Sequence, residues 1–360
     1  MGRFFRTIDW VDAVIIGCLS ILGLFLLLSV DPGLFYQQAL YLTGALVLCI
    51  VVSHVDSAVL AWAGPYGYLL SLVLLAFTYL GPQIRGASRW IFIAGIQLQP
   101  SELVKPLLIL AFAWALANLP PKNVRNIFVH GVLFLIPFVL VYKQPDLGTG
   151  IVYALTWSAM MVAGGLSLWT FFLGSGVTSI FVPVVWFLLH EYQRQRIVTF
   201  LNPALDPKGA GYNALQAMIA VGSGQLIGRG LGRGTQSHLR FLPEYHTDFI
   251  FAALVEELGF FGGVLLLAGY VSLLWRILAP LLKGITRDLF PFVYSVGLFT
   301  MLLAQVFINI GMNMGIIPIT GITLPLVSYG GSSLVSVGVS FAILWALRRS
   351  KRTTGTIAFD

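Results

Sequence analysis

Asp248 stands in Leu242-Pro-Glu-Tyr-His-Thr-Asp-Phe-Ile-Phe-Ala252, where a polar, glycine-rich segment runs into an apolar helix. A carboxylate at mid-bilayer costs roughly 2.5–3.5 kcal/mol, whereas one at the water boundary stays ionised and still reaches a lipid-borne substrate. Lys105 lies inside an apolar run, where a cation needs a carboxylate partner or an anionic ligand; with Arg89 it could meet a diphosphate. Glu102 precedes Lys105 by three residues and shares its helix face. That pair is either a rim salt bridge of little worth or part of a site. Asp146, in Gln144-Pro-Asp-Leu-Gly-Thr149, either caps the helix that follows or joins the same site.

Other chemistry-bearing residues are less well placed. Glu256 sits about 80° round the helix and roughly 12 Å along its axis from Asp248, too far for a close acid/base pair. Glycines 222, 224, 228, 230, 232 and 234, with Arg229 and Arg233 among them, either turn backbone N–H groups toward an anion or simply give flexibility. No strand precedes them, which excludes a dinucleotide fold. No His or Cys cluster or Asp-x-Asp pair offers a preformed metal site, and Cys18 and Cys49 fall in apolar runs.

The elements that must position these residues are membrane spans. Of 360 residues, 58% are hydrophobic and 10% charged, and the mean hydropathy is +0.89. Apolar surface on that scale exceeds what a soluble core hides, and runs of this length satisfy their backbone as helices, so the fold class is all-α. Spans are expected at about 10–30, 35–52, 58–80, 103–119, 127–142, 149–166, 168–189, 249–278, 290–314 and 328–347. The first of them is too long for a signal-peptide core and is read as retained. Ten spans put both termini on one side. With the ends cytoplasmic, that side holds Arg3, Arg6, Lys122, Arg125, Arg276, Lys283, Arg287, Arg348, Arg349, Lys351 and Arg352, against Arg85, Arg89, Lys105 and Lys143 outside. The long loop, about 190–248, is then external, with Asp248 at its end. A net charge of +7 scattered over inter-helix loops suits anionic lipid and gives nucleic acid no domain to dock on.

Local signals refine this frame. Trp90, Ile91, Phe92 and Ile93 suit an interfacial anchor, and Tyr212 to Val221 suits a helix lying along the membrane surface. Gly259 and Gly263 form a GxxxG step for close helix packing, and Gln305 and Asn309 must hydrogen-bond inside the bundle. Residues 315–333, rich in Gly, Pro and Ser, read as a re-entrant or broken-helix element covered by protein or a water-filled cavity. The chain is expected to be one domain over 1–360.

Five stretches carry a resemblance. Asn309-Ile-Gly-Met-Asn-Met-Gly-Ile-Ile-Pro-Ile-Thr-Gly-Ile with Leu324-Pro-Leu-Val-Ser-Tyr-Gly-Gly-Ser-Ser333 resembles the signature of the SEDS family (shape, elongation, division and sporulation), the RodA, FtsW and SpoVE proteins. Gln99-Pro-Ser-Glu-Leu-Val-Lys105, Gly86-Ala-Ser-Arg-Trp90, Gln144-Pro-Asp-Leu-Gly-Thr149 and Pro243-Glu-Tyr-His-Thr-Asp-Phe-Ile-Phe-Ala252 are similar to its other motifs. Gly234-Thr-Gln-Ser237 and the short N-terminus resemble the RodA branch, which implies cell elongation. Pro106, directly after Lys105, departs from the family pattern and is expected to bend the start of the fourth span.

The resemblance implies a peptidoglycan glycosyltransferase of the bacterial cytoplasmic membrane. It would polymerise lipid II at the external face beside a class B penicillin-binding protein. Asp248 matches the family's essential aspartate and is assigned as general base, with inversion at the anomeric carbon. Arg89 and Lys105 are assigned to the diphosphate, Glu102 to orienting Lys105, and Asp146 to the same site. A divalent cation, Mg or Mn, would be held with the diphosphate, and no organic cofactor is expected. A lipid II flippase and a transpeptidase scaffold are the competing readings; a flippase would line a path to both faces with polar residues.

Overall fold

The computed structural model describes residues 7–353 apart from 83–88, 94, 181–182, 184–185, 188, 190, 203–209, 240 and 287. Arg3, Arg6, Arg85, Arg287 and the first three residues of Gly86-Ala-Ser-Arg-Trp90 lie outside the described residues, as do the side chains of Ile93, Lys351 and Arg352.

Each expected span has its helix. The first three are α1 (Trp10–Val30), α2 (Pro32–Ser53) and α3 (Ser57–Phe77). The next run is split into α4 (Pro100–Leu103) and α5 (Lys105–Asn118), followed by α6 (Val124–Lys143), α7 (Leu147–Ala163) and α8 (Leu168–Ile180). The loop before Asp248 carries α9 (Glu191–Leu201), α10 (Ala210–Ser223) and the short α11 (Thr235–His238), and the chain closes with α12 (Ile250–Leu282), α13 (Leu289–Asn313) and α14 (Gly331–Thr353). Among the described residues, eight helical stretches are long and apolar enough to cross a membrane, and α7 and α8 are shorter apolar helices at the other two expected positions. This is an all-α, multi-pass membrane protein.

Side chains punctuate the spans. Asp9, Asp31, Asp56 and Asn123 accept orphan amide protons at the starts of α1, α2, α3 and α6. Pro106 has no N–H for the Glu102 carbonyl, and the helix restarts there as α5, so the bend expected from the sequence is a break between α4 and α5. The interfacial anchor is more ordered than expected: Ile91–Ile93 and Ile96–Leu98 form an antiparallel hairpin, β1 and β2, with Ile91 opposite Leu98. Its turn contains Gly95 at φ +81°, a conformation that favours glycine.

Helices α5, α12, α13 and α14 are mostly buried, while α1, α2, α3 and α6 turn exposed apolar faces outward, as lipid contact requires. At one end of the bundle, Arg276 pairs with Asp9 at 2.6 Å and with the fully buried Asp12. Asp12 also meets Arg348 at 3.6 Å and accepts from the Trp345 ring N–H at 3.0 Å. These groups tie the start of α1 and the end of α14 to the far end of α12, opposite Asp248.

Residues 315–330 form the non-helical element expected between the last two spans. Ile322, Leu324, Leu326, Val327 and Ser328 are buried. Irregular backbone at membrane depth needs partners from neighbouring helices. Gln38 on α2 supplies two, donating to the Ser328 carbonyl and accepting from Gly330 N–H, both at 3.0 Å, while Tyr270 on α12 donates to the Pro325 carbonyl.

Candidate functional site

Asp248 lies in the turn just before α12, partly buried. Its N–H donates to the Glu244 carbonyl at 3.1 Å, and Glu244 itself adopts φ +53°. Across from the carboxylate is Gly321 at φ +76°: a Cβ built there would stand 3.4 Å from Asp248 Oδ2 and 4.0 Å from Arg196 Nη1. Arg196 on α9 is steadied by the Ile319 carbonyl at 3.2 Å. Carboxylate and guanidinium therefore border the same small volume in front of Gly321.

Electrostatics agree with this geometry. Burial pushes the Asp248 carboxyl from 3.8 up to about 6, and the Glu244 carboxylate adds to the rise. The charges of Arg196 and Arg89, with a hydrogen bond from Thr247, pull it back down. A group with a pKa near the working pH is matched to proton transfer.

Arg89 connects Asp248 to a second cluster. Its Nε donates to the Gln144 carbonyl at 3.0 Å, and Nη1 lies 3.9 Å from Asp146 Oδ1. Of the two readings of Asp146 left open by the sequence, the structure shows the cap, and the same carboxylate also meets neighbouring polar side chains. Its Oδ1 accepts Thr149 N–H at 3.3 Å as the cap of α7, while Oδ2 accepts from Gln99 and Ser101, each at 3.3 Å.

Lys105 and Glu102 form a buried pair with Nζ 2.5 Å from Oε1, not a rim salt bridge. Lys105 is 2% exposed and lines a cavity of about 20 Å³ with Phe112, Tyr153, Thr156 and Met301, room for about one water molecule. Arg89, Arg196 and Glu244 share one electrostatic neighbourhood with Asp248. Asp146 reaches it through Arg89, and the Lys105–Glu102 pair lies beside Asp146 across Tyr153.

Two glycine readings are corrected. Gly259 is not part of a helix-packing step: at φ +70° and ψ −166° it breaks α12. The Gln225–Gly230 segment fills that break. Arg229 and Gly230 N–H donate to the Glu256 and Glu257 carbonyls at 2.9 and 3.0 Å, and Phe260 and Phe261 N–H donate to the Gln225 and Leu226 carbonyls at 2.8 and 3.2 Å. The amides of Arg229 and Gly230 thus serve a broken helix and not an anion. Glycine is needed because a Cβ at 224 would stand 1.9 Å from the Val255 carbonyl oxygen.

The glutamates beyond Asp248 are engaged in the same clasp. Glu256 accepts Gln236 N–H at 2.9 Å and the Ser237 hydroxyl at 3.1 Å; Glu257 accepts from Ser29 and His238, each at 2.9 Å. Glu256 is accordingly no partner for Asp248, as the helix geometry implies. The carboxylate that the sequence reading overlooked is Glu244, four residues upstream. Arg196 was overlooked too, since nothing in Gln193-Arg-Gln-Arg196 distinguishes it from Arg194, which turns to the Trp186 and Phe187 carbonyls.

A family model described as a cell cycle protein, covering FtsW, RodA and SpoVE, matches residues 10–353. The chain belongs to that family. Among its relatives, the peptidoglycan glycosyltransferase MrdB of Escherichia coli (strain K12) is 39% identical over 327 residues, covering 89% of this chain and 87% of that protein. A chain from a peptidoglycan synthase complex that coordinates polymerization and crosslinking superposes with a TM-score of 0.82 at 31% identity, covering 95% of this chain and 98% of that one. The rod shape determining protein RodA of Thermus thermophilus does so at 0.72 and 29%, covering 95% and 97%. In this SEDS member, four of the five stretches that carry the resemblance, together with Arg89 from the fifth, lie within the described residues. They build the Asp248 turn, the Asp146 cap, the α4–α5 break and the buried 315–330 element.

Proposed function

We propose that Asp248 is the general base with which this peptidoglycan glycosyltransferase polymerises lipid II. The observation that carries the reading is a carboxylate that borders the same small volume as the Arg196 guanidinium in front of Gly321, at the seam between a loop and a spanning helix; burial pushes it up to about 6 and the charges of Arg196 and Arg89 act on it. Asp248 takes the proton of an acceptor sugar hydroxyl as its oxygen bonds to the anomeric carbon of the donor. The bond from that carbon to the diphosphate breaks, and undecaprenyl diphosphate leaves with the electron pair. A direct displacement of this kind inverts the anomeric centre. Arg89 and Arg196 supply positive charge where the leaving group develops negative charge. Lys105, oriented by Glu102, would reach a diphosphate only by exchanging its carboxylate partner.

Membership of the family and the clustering of basic residues at the Arg276–Arg348 end support a bacterial cytoplasmic membrane location, with that end cytoplasmic and Asp248 external. The likeness to a peptidoglycan synthase complex supports a crosslinking partner, a class B penicillin-binding protein, and the likeness to RodA supports action in cell elongation. Among the described residues no group of three His, Cys, Asp or Glu is placed to hold a metal. Mg²⁺ commonly takes one or two carboxylates plus substrate phosphates, a donor set that Glu244 and the diphosphate fit. Such a cation, Mg or Mn, would neutralise charge on the leaving group.

The test is incubation of the purified protein and its partner with labelled lipid II. Glycan polymer that disappears in Asp248→Ala is expected; no polymer from the parent, or equal polymer from the variant, rejects the assignment. Arg196→Ala with Arg89→Ala is expected to lower kcat/KM by about 10²-fold or more. It should also move the acid limb of the rate profile to higher pH, because two charges that favour ionised Asp248 are gone. Unchanged kcat/KM in that double variant removes both arginines from the site. Arg89→Ala with Lys105→Ala separately tests the diphosphate pair assigned from the sequence, and unchanged polymerisation there removes both residues from that role.

A further inference from the structure

The first N–H groups of α12, like those of any helix, need partners from outside it. In a continuous helix the Ala252 N–H would donate to the Asp248 carbonyl four residues back. Among the described hydrogen bonds it donates instead to Asn313 Oδ1, at 3.1 Å. The other end of the same carboxamide, Nδ2, donates to the Asp248 carbonyl at 3.0 Å. Asn313 therefore bridges the Ala252 N–H and the Asp248 carbonyl, two groups that would bond each other directly if the helix extended back to Asp248.

Asn309, one turn earlier on the same face of α13, adds a second clamp. Its Nδ2 donates both to the Asp248 carbonyl at 3.0 Å and to the Ile322 carbonyl at 2.7 Å. Asn313 Nδ2 also donates to the Asn309 carbonyl at 2.8 Å. Both side chains are fully buried. Ile322 follows Gly321, the residue against which the Asp248 carboxylate rests. One amide group thus fixes the main chain behind the carboxylate and the wall in front of it.

We propose that Asn309 and Asn313 are positioning residues for the reaction, holding Asp248 out of α12 and at a set distance from Gly321 and Arg196. The proposal rests on the assignment of Asp248 as the base. Loss of the Asn313 carboxamide lets Ala252 N–H bond directly to the Asp248 carbonyl. The aspartate is then drawn into helical register and its carboxylate swings away from the Gly321 wall. A misplacement of about 1 Å at a reacting group costs on the order of 10²-fold in rate.

The experiment uses the full-length protein with its partner and labelled lipid II. Parent, Asn309→Ala, Asn313→Ala, Asn313→Leu and Asp248→Asn are compared for kcat, KM, pH profile and melting temperature. Asn313→Leu keeps the volume but removes both the acceptor for Ala252 and the donor to Asp248 without adding a charge, so it remains informative if an alanine variant does not fold. Expected for the folded asparagine variants is a fall in kcat of about 10- to 100-fold. KM for lipid II should stay within about threefold, because the arginines that hold the diphosphate are untouched. The acid limb should shift as the carboxylate leaves Arg196. A kcat within twofold of the parent, or a loss confined to melting temperature with the pH profile unmoved, overturns the proposal. If Asp248→Asn is inactive while the asparagine variants are normal, only the positioning role fails; if Asp248→Asn polymerises normally, the base assignment fails first.

Discussion

Asp248→Asn is expected to abolish polymerisation and, at neutral pH, to make the protein more stable. The first effect follows from the missing base: general-base catalysis contributes about 10²- to 10⁴-fold, and the amide has no site for the proton. The second follows from linkage. Burial places the folded pKa, about 6, above the ordinary 3.8. Between those values the folded chain binds more protons than the unfolded chain, so stability falls as pH rises through that window and stays lowered above it. Asparagine carries no such penalty. The gain above pH 6 is at most about 3 kcal/mol, from the cost of shifting a pKa, and it vanishes below pH 4. Melting curves in detergent from pH 4 to 8 measure it. A variant less stable than the parent at pH 7.5 would show that the carboxylate is not strained by its surroundings. Polymerisation in the parent should rise with pH through about 6 and then level off.

Gly228→Ala is expected to damage the fold more than any conservative change at the apolar faces. Gly228 adopts φ +84°, and a Cβ there would stand 2.1 Å from the Glu257 carbonyl oxygen and 2.6 Å from Gly259 N. These are backbone atoms of the break in α12 and have no rotamer by which to retreat. Overpacking costs about 1–3 kcal/mol and the left-handed conformation a similar amount, so about 2–6 kcal/mol together is expected. The Gln225–Gly230 segment would lift off, leaving the Glu256 and Glu257 carbonyls and the Phe260 and Phe261 amides without partners. Melting temperature and protease resistance of the 224–234 segment are the measurements. Gly222→Ala, where a Cβ would meet nothing within 4 Å, is the control and should stay near the parent.

The spans were legible because membrane crossing demands long apolar runs, and nothing else in the chain imitates them. The seam at Asp248 was legible for the same reason, as was the remoteness of Glu256. Less could be read where meaning depends on a partner distant in sequence. The glycine run carries the same composition whether its amides face an anion or the carbonyls of a broken helix, and only the φ of Gly259 decides. Gly259 and Gly263 match a packing step by spacing alone. Arg196 and Arg194 are equivalent as letters; one reaches Ile319 and the other Trp186. The Trp90–Ile93 run is too short to reveal that it folds back on Ile96–Leu98. Glu244 is not legible because helix geometry places residues after Asp248 on α12 and says nothing of the turn before it.

The charge cluster of Asp12, Arg276 and Arg348 and the clamp of Gln38 on residues 328–330 both join the earliest spans to the latest. During synthesis the chain makes Asp248 well before the Gly321 wall and the asparagines that hold its carbonyl. Ribosomal products that end before α13 carry that carboxylate with neither asparagine behind it nor Gly321 in front of it. With Asp248 as the base, a chain truncated there is expected to form no glycan polymer from labelled lipid II.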